Sequence, residues 1–249
     1  NGTFKKMNYQ IEMTNICNAR CIGCPNRLQD RNRGVMRPEN FYVALQKIAK
    51  VSPKNTRIAL HGNGEPLISP YFFDCLDVAK HMGFTNIDFS TNGIILRKDI
   101  FQRLKNYGGV ISWMRVSVNT VNKLLFDEIN GGADYERVLN NTQGLIDSGQ
   151  PFEIVLQLMR TRGNQAETES DFRRELIGKY SIKETPYTTF SNQVEETGLN
   201  NDDHRTCPYG NDFINIHYDG DMNGCCIDVT KEQLSGNILI DNIFNAKFA

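Results

Sequence analysis

A regular exchange of strand-like and helix-like segments along the first three-quarters of the chain narrows its possible folds more than any other property. The stretch Asn8-Tyr9-Gln10-Ile11-Glu12-Met13 alternates apolar and polar residues with the period of a strand. From Pro38 onward Phe41, Ala44, Leu45, Ile48 and Ala49 recur at helical spacing, and a short β run Arg57-Ile58-Ala59-Leu60 follows, broken by Gly62 and Gly64. Helices are then expected near 70–82, 98–106, 134–148 and 167–178, with strands near 86–90, 113–118 and 152–159. Strands and helices taking turns imply a parallel sheet with right-handed crossovers. Five strands stand out and a sixth is expected at Tyr187-Thr188-Thr189-Phe190, fewer than the eight of a closed barrel. The expected class is therefore α/β, a partial (β/α)6 TIM-like barrel.

After about residue 192 the pattern changes. A polar stretch from Asn192 to Arg205 leads into Phe213-Ile214-Asn215-Ile216-His217-Tyr218, a turn at Asp219-Gly220-Asp221 and another short run, which together read as a β-hairpin. The chain thus divides into a barrel domain, 1–192, and a small C-terminal domain, 193–249. No internal repeat or low-complexity tract interrupts this organisation.

At 249 residues and 39% hydrophobic content the chain has enough apolar material for a core. Lys and Arg total 28 against 29 Asp and Glu, which argues against a nucleic-acid binder held by phosphate contacts. No apolar run reaches the roughly 20 residues that span a bilayer, and Asn1-Gly2-Thr3-Phe4-Lys5-Lys6 lacks the apolar core of a secretory signal, so a cytoplasmic location is expected. Seven cysteines, an odd number in a chain too large to need disulfide staples, point to metal or redox chemistry.

Three of them fall within eight residues, Cys17-Asn18-Ala19-Arg20-Cys21-Ile22-Gly23-Cys24, so one tight loop can aim all three sulfurs at one point. Three thiolates on a cubane leave one iron open for a small molecule to chelate, which implies chemistry rather than electron storage. The competing reading is a zinc knuckle. Zinc takes four ligands, however, and the nearest histidine, His61, belongs to another element.

A C-x3-C-x2-C loop directly after the first strand of a partial βα barrel resembles the radical S-adenosylmethionine (SAM) superfamily. The resemblance implies a [4Fe–4S] cluster on Cys17, Cys21 and Cys24 whose fourth iron binds the amino and carboxylate groups of SAM. Gly23 stands where that family usually carries an aromatic residue. The run His61-Gly62-Asn63-Gly64-Glu65-Pro66 resembles the family's glycine-glycine-glutamate motif, in which backbone and carboxylate receive the cofactor's ammonium; glycines permit close approach of the main chain. It also suits an ordinary strand-to-helix turn. By the same resemblance Ser90 and Asn92 after the third strand, and Ser117 and Asn119 at the end of the fourth, would contact the cofactor, although such residues also serve as caps and turns. Arg160 or Asn164 would hold its carboxylate.

Cys207, Gly220, Cys225 and Cys226 form C-x12-G-x4-C-C, and Gly236-Asn237-Ile238 trails them. This resembles the SPASM and twitch appendages that hold an auxiliary iron–sulfur cluster. Further downstream cysteines, usual in that family, are absent before Ala249, so the segment supplies two or three ligands or the chain is truncated. A Cys207–Cys225 disulfide is the alternative, less suited to a reducing compartment. Cys75, beside Phe72, Phe73 and Leu76 in a helical pattern, reads as a core residue.

Taken together the resemblance implies a radical SAM oxidoreductase that draws electrons from a flavodoxin- or ferredoxin-type donor and cleaves SAM to a 5′-deoxyadenosyl radical that removes a hydrogen from substrate. An auxiliary cluster suits an oxidation. Peptide maturation by oxidation, cross-linking or epimerisation is the first substrate expectation. Dehydrogenation of a carbohydrate or aminocyclitol alcohol is the second, since no added N-terminal peptide-binding domain is present. A non-catalytic electron-transfer protein would leave the open iron unexplained, and a nucleic-acid-modifying enzyme is disfavoured by the balanced charge.

Overall fold

In the computed structural model, which describes residues 7–186, 212–225, 228, 231 and 234–240, the exchange of strands and helices runs as follows. Strand β1 (Asn8–Ile11) leads through a long loop to α1 (Pro38–Val51), then β2 (Ile58–Ala59), α2 (Phe72–His81), β3 (Ile87–Thr91), α3 (Lys98–Leu104) and β4 (Ile111–Asn119). Two helices, α4 (Lys123–Ile129) and α5 (Tyr135–Asp147), precede β5 (Glu153–Arg160), and α6 (Glu169–Glu175) leads to β6 (Ser181–Pro186). A C-terminal meander follows: β7 (Phe213–Ile216), β8 (Asp221–Asn223) and β9 (Leu234–Asn237).

These nine strands belong to one sheet, in the order β6-β5-β4-β3-β2-β1-β7-β8-β9. Pairing is parallel from β6 to β7, and antiparallel between β7 and β8 and between β8 and β9. The parallel strands β1 to β6 stack in sequence order, as right-handed crossovers dictate, and the sheet stays open. The hairpin expected near the C-terminus is present, and it joins the barrel's own sheet: β7 pairs along the outer edge of β1, Asn8 opposite Phe213 through Ile11 opposite Ile216.

The period of two along each strand sorts side chains to two faces. Tyr9 and Ile11, Ile58, Ile87 and Phe89, Met114, Val116 and Val118, and Leu156 and Leu158 are buried in one core with the helices. There Phe41, Ala44, Leu45 and Ile48 of α1 and Phe72, Phe73, Cys75, Leu76 and Ala79 of α2 are buried against them, and the Phe72 and Phe89 rings meet edge-on at 4.9 Å. Cys75 is thus a core residue, as its helical setting suggests. The opposite positions, among them Gln10, Glu12, Asp88, Ser90, Arg115, Ser117, Gln157 and Lys183, face the barrel lumen, which is polar and charged where closed barrels are filled with branched apolar side chains.

Two sequence expectations need correction. The sixth strand is Ser181–Pro186, N-terminal to the expected 187–190, which lies outside the described residues. Ser181-Ile182-Lys183-Glu184 places Ile182 against the core and Lys183 in the lumen, so it satisfies both faces at once. The short helix α4 does not stand out in the sequence. Asn122 caps it by accepting from the Leu125 N–H at 3.2 Å, and it buries Leu125, Phe126 and Ile129. The expected domain boundary at 192/193 also falls outside the described residues. Among the described residues no helix is long and apolar enough to cross a membrane.

Candidate active site

Beyond β1 the chain turns into the cysteine loop at the C-terminal ends of the strands, where sites of βα barrels are built. Buried Asn15 shapes the loop: its carbonyl oxygen accepts from Gly34 N at 2.9 Å and its amide donates to the Asn32 carbonyl at 2.8 Å. Arg33 donates to the carbonyls of Asn15 and Asn26 at 2.6 and 2.8 Å. Farther along, Arg20 N donates to Gly131 O at 2.7 Å and Ile22 N to Ile129 O at 3.0 Å, which fastens the loop to the end of α4. The three half-buried cysteines consequently line one cavity of about 330 Å³, together with Arg20, Arg27 and Arg33. Burial lifts the pKa of each thiol, and for Cys21 the neighbouring Cys24 and Cys17 add to it, to about 12.

Against this loop packs the segment after β2. A Cβ on Gly64 would collide with the Thr14 carbonyl oxygen and lie 2.6 Å from that of Ile16, so only glycine fits. Glu65 N donates to Ile16 O at 2.9 Å. The Glu65 carboxylate itself is buried and turned inward, where it accepts from Thr91 Oγ1 at 2.8 Å, Asn92 N at 2.7 Å and Leu67 N at 3.2 Å. Burial nonetheless drives its pKa up to about 7. In this arrangement it pins the ends of β2 and β3 together. Asn92 in turn places its amide 3.8 Å from Cys17 Sγ and 2.7 Å from Asn18 Oδ1.

On the other flank of the loop, Asn119 ends β4 with φ +68°, a left-handed conformation that asparagine tolerates. Its amide donates to Asn130 Oδ1 at 2.6 Å, and Asn130 Oδ1 lies 3.9 Å from Cys21 Sγ. Asn119 Oδ1 and Asn130 Nδ2 are buried with no hydrogen-bond partner among the described residues. Both lie on the flank of the loop that carries Cys21.

Ser90 and Ser117 are half-buried on the lumen faces of β3 and β4. Arg160 is tied elsewhere: its guanidinium donates to Glu184 at 2.5 and 3.0 Å and to the carbonyls of Asn164 and Glu167. Asn164 donates to the Met159 carbonyl at 2.8 Å within the same turn. Cys225 follows β8 by two residues, while Cys207 and Cys226 lie outside the described residues.

Sequence reasoning missed the group that joins the cysteine loop to the C-terminal hairpin. Glu12, 1% exposed, receives both arms of Arg31 at 2.9 Å, the Asn63 backbone and side-chain amides at 3.2 Å, and approaches His217 Nδ1 at 3.5 Å. Burial alone would raise the Glu12 pKa, but hydrogen bonds and charge from His217 and Arg31 hold it well below the carboxylate range. A charged residue on the inward beat of β1 was the available signal. Asn130 carried none, because α4 itself shows no clear period.

Three soft donors around one cavity suit an iron–sulfur cluster. Among the described residues no three His, Cys, Asp or Glu side chains converge closely enough for a single metal ion, whereas a cluster spreads its ligands over several iron corners. The three arginines lining the cavity match the negative charge of a thiolate-bound cluster.

An open parallel βα barrel with such a loop at its strand ends defines a class, and a family model for the radical SAM superfamily matches residues 11–169; the chain belongs to that superfamily. It is a radical SAM enzyme, and membership implies a [4Fe–4S] cluster and SAM as cofactors. The chain is 30% identical over 139 residues to a probable GTP 3′,8-cyclase of Methanocaldococcus jannaschii, a match covering 55% of this chain and 45% of that protein. A probable GTP 3′,8-cyclase of Saccharolobus islandicus is 26% identical over 158 residues, covering 64% and 49%. The matches thus span about half the length of these curated relatives. Among solved structures, SuiB of Streptococcus suis bound to precursor peptide SuiA superposes with TM-score 0.75 at 12% identity, covering 97% of this chain and 64% of SuiB. BtrN in complex with AdoMet and 2-DOIA gives 0.64 at 16% identity, covering 97% and 81%, and anSMEcpe with bound AdoMet 0.72 at 14%, covering 96% and 79%. At these identities the likeness is one of fold.

Proposed function

We propose that Cys17, Cys21 and Cys24 ligate the [4Fe–4S] cluster and that SAM lies across the strand ends between the 62–64 backbone and the Asn119–Asn130 pair. The observation that carries this is the convergence of three half-buried cysteines on one cavity, with a buried amide acceptor and donor that have no partner among the described residues on its flank. When bound, the cluster would supply the electron for reductive cleavage of SAM, radical chemistry that would remove a hydrogen from substrate. The chain's own residues orient and enclose. Asn92 holds the Cys17 side of the loop, Glu65 locks the β2 and β3 ends, Asn119 Oδ1 accepts from a ligand donor, and Asn130 Nδ2 donates to a ligand oxygen. Ser90 and Ser117 supply further hydroxyls from the lumen wall. Arg160, engaged with Glu184, acts from behind the site.

For substrate we favour a peptide undergoing oxidation, cross-linking or epimerisation, supported by the coverage of 97% of this chain by the SuiB fold solved with its precursor peptide. Cyclisation of a nucleoside triphosphate is the second reading, favoured by the identity to proteins named GTP 3′,8-cyclase. Cys207, Cys225 and Cys226 would hold an auxiliary cluster, which suits an oxidoreductase, with a small flavodoxin- or ferredoxin-type protein as donor. Anaerobic incubation of the reconstituted chain with dithionite, SAM and either a precursor peptide or GTP, read by mass spectrometry, separates the substrate readings. A peptide product lighter by about two mass units supports peptide oxidation, and a cyclised nucleotide overturns it.

A further inference from the structure

A row of polar side chains, almost without access to water, crosses the three strands that join the barrel to the C-terminal meander. Register places Gln10 of β1 beside Asn215 of β7, and Asn215 beside Asn223 of β8. His217, two residues beyond Asn215, falls on the same face and is fully buried. Hydrogen bonding fixes each amide in turn. Asn223 Nδ2 lies 3.0 Å from both the carbonyl and the carboxylate of Asp228, two acceptors, so that end of Asn223 is the donor. Its Oδ1 accepts from Asn215 Nδ2 at 3.0 Å, and Asn215 Oδ1 accepts from Gln10 Nε2 at 3.1 Å. The Nδ2 groups of Asn215 and Asn223 each lie 3.3 Å from His217 Nε2. With two donors aimed at it, Nε2 takes the acceptor role, which assigns the ring proton to Nδ1.

Nδ1 faces the Glu12 carboxylate, 3.5 Å from Oε2. The same oxygen receives Arg31 Nη1 at 2.9 Å and the Tyr218 backbone N–H at 3.4 Å. Oε1 receives Arg31 Nη2 at 2.9 Å and both amides of Asn63 at 3.2 Å. Arg31 alone does not anchor the carboxylate, because its Nε is buried without a hydrogen-bond partner among the described residues and its Nη groups are turned to Glu12 itself. The hairpin, locked by its amide row, is the fixed side of the arrangement. Glu12 is in turn the surface on which the glycine loop rests: a Cβ on Gly62 would lie 2.9 Å from the Glu12 Cβ and Cγ. A displacement of Glu12 therefore reaches the main chain at 62–63.

We propose that His217 is a positioning residue for the SAM subsite: the amide row of the hairpin fixes its proton on Nδ1, that proton holds Glu12, and Glu12 holds the Asn63 main chain. The proposal rests on the reading of 62–64 as backbone that receives SAM, and it deepens that reading by assigning part of the subsite's geometry to the C-terminal hairpin. Two substitutions separate the two ring nitrogens. His217→Asn places an amide near the Nδ1 position and keeps a donor for Glu12, whereas His217→Gln places its amide near Nε2, keeps the contact with the amide row and removes the donor to Glu12. Asn215 and Asn223 each retain another acceptor in either variant, so neither substitution strands a buried amide.

Three readouts on the full chain test this. Long-range proton–nitrogen NMR, with the His217 ring assigned by its loss in His217→Gln, is expected to show a proton on Nδ1. Hydrogen exchange is followed at the Asn63 main-chain amide, and SAM binding to the reconstituted protein by anaerobic equilibrium dialysis. In His217→Gln, Asn63 exchange is expected to quicken and SAM binding to weaken, each by about tenfold, the size of one hydrogen bond to a charged acceptor. In His217→Asn both should stay close to wild type. Nδ1 without a proton, either of the other readouts unmoved in His217→Gln, or equal losses in the two variants overturns the proposal; equal losses describe a hairpin that only packs. NMR and exchange need neither cluster nor SAM, so a wild-type protein that binds no SAM refutes the SAM reading, while the hold of His217 on Asn63 is decided separately.

Discussion

At the scale of single residues, Glu12 is the point on which the site turns. It touches the cysteine loop through Arg31, the glycine loop through Asn63 and the hairpin through His217, all with almost no access to water. Replacing it by alanine strands a buried arginine, and Glu12→Ala is expected to lower the unfolding free energy by about 3–5 kcal/mol in urea denaturation. The pH dependence has a definite sign. Because the folded-state pKa lies below the ordinary value of 4.5, the stability Glu12 contributes is present above that pH and is lost as pH falls below it. Glu12→Gln should therefore flatten the acid limb of the stability profile, whereas an unchanged limb would remove Glu12 from this role. Asn119 offers a second residue-scale test. In a left-handed conformation with φ +68°, Asn119→Ala should be destabilising by about 1–2 kcal/mol relative to Asn119→Gly, while both lose the Asn130 contact and weaken SAM binding alike.

Among elements, the cysteine loop and the C-terminal hairpin behave as one unit. Tyr218 donates its hydroxyl to Asn32 O at 2.7 Å, and its ring fills the space that a side chain on Gly34 would need. Gly34→Val should push the hairpin from the loop, lowering both thermal stability and iron retention; retention of iron with a wild-type melting temperature would contradict that coupling. The longer helices and first five strands were legible in the sequence because each has a full apolar face, as Phe41, Ala44, Leu45 and Ile48 show for α1. What escaped was short or doubly constrained. Helix α4 buries three side chains, and in β6 the core-facing residue is Ile182, so neither presents a period long enough to read. Of the site, the cysteines and the 62–65 run were legible from spacing, but the inward turn of Glu65 and the partners of Arg160 depend on neighbours distant in sequence.

For the whole molecule, the pairing of β7 with β1 makes the C-terminal meander part of the barrel wall. A chain ending after residue 186 would leave β1 as a bare parallel edge and Glu12 without His217, so it should aggregate on purification or unfold at markedly lower urea. Recovery of a stable monomer would show that the two parts fold independently.

Whether the cysteine loop is a radical SAM centre is decided by anaerobic reconstitution with iron and sulfide, then dithionite and SAM, following 5′-deoxyadenosine by chromatography beside iron content. The expected outcome is 5′-deoxyadenosine formation that Cys17→Ala, Cys21→Ala or Cys24→Ala each abolishes, with about four irons per chain on this loop and about eight if the C-terminal cysteines hold a second cluster. One bound zinc with intact SAM, or cleavage that survives loss of any of the three cysteines, would contradict it.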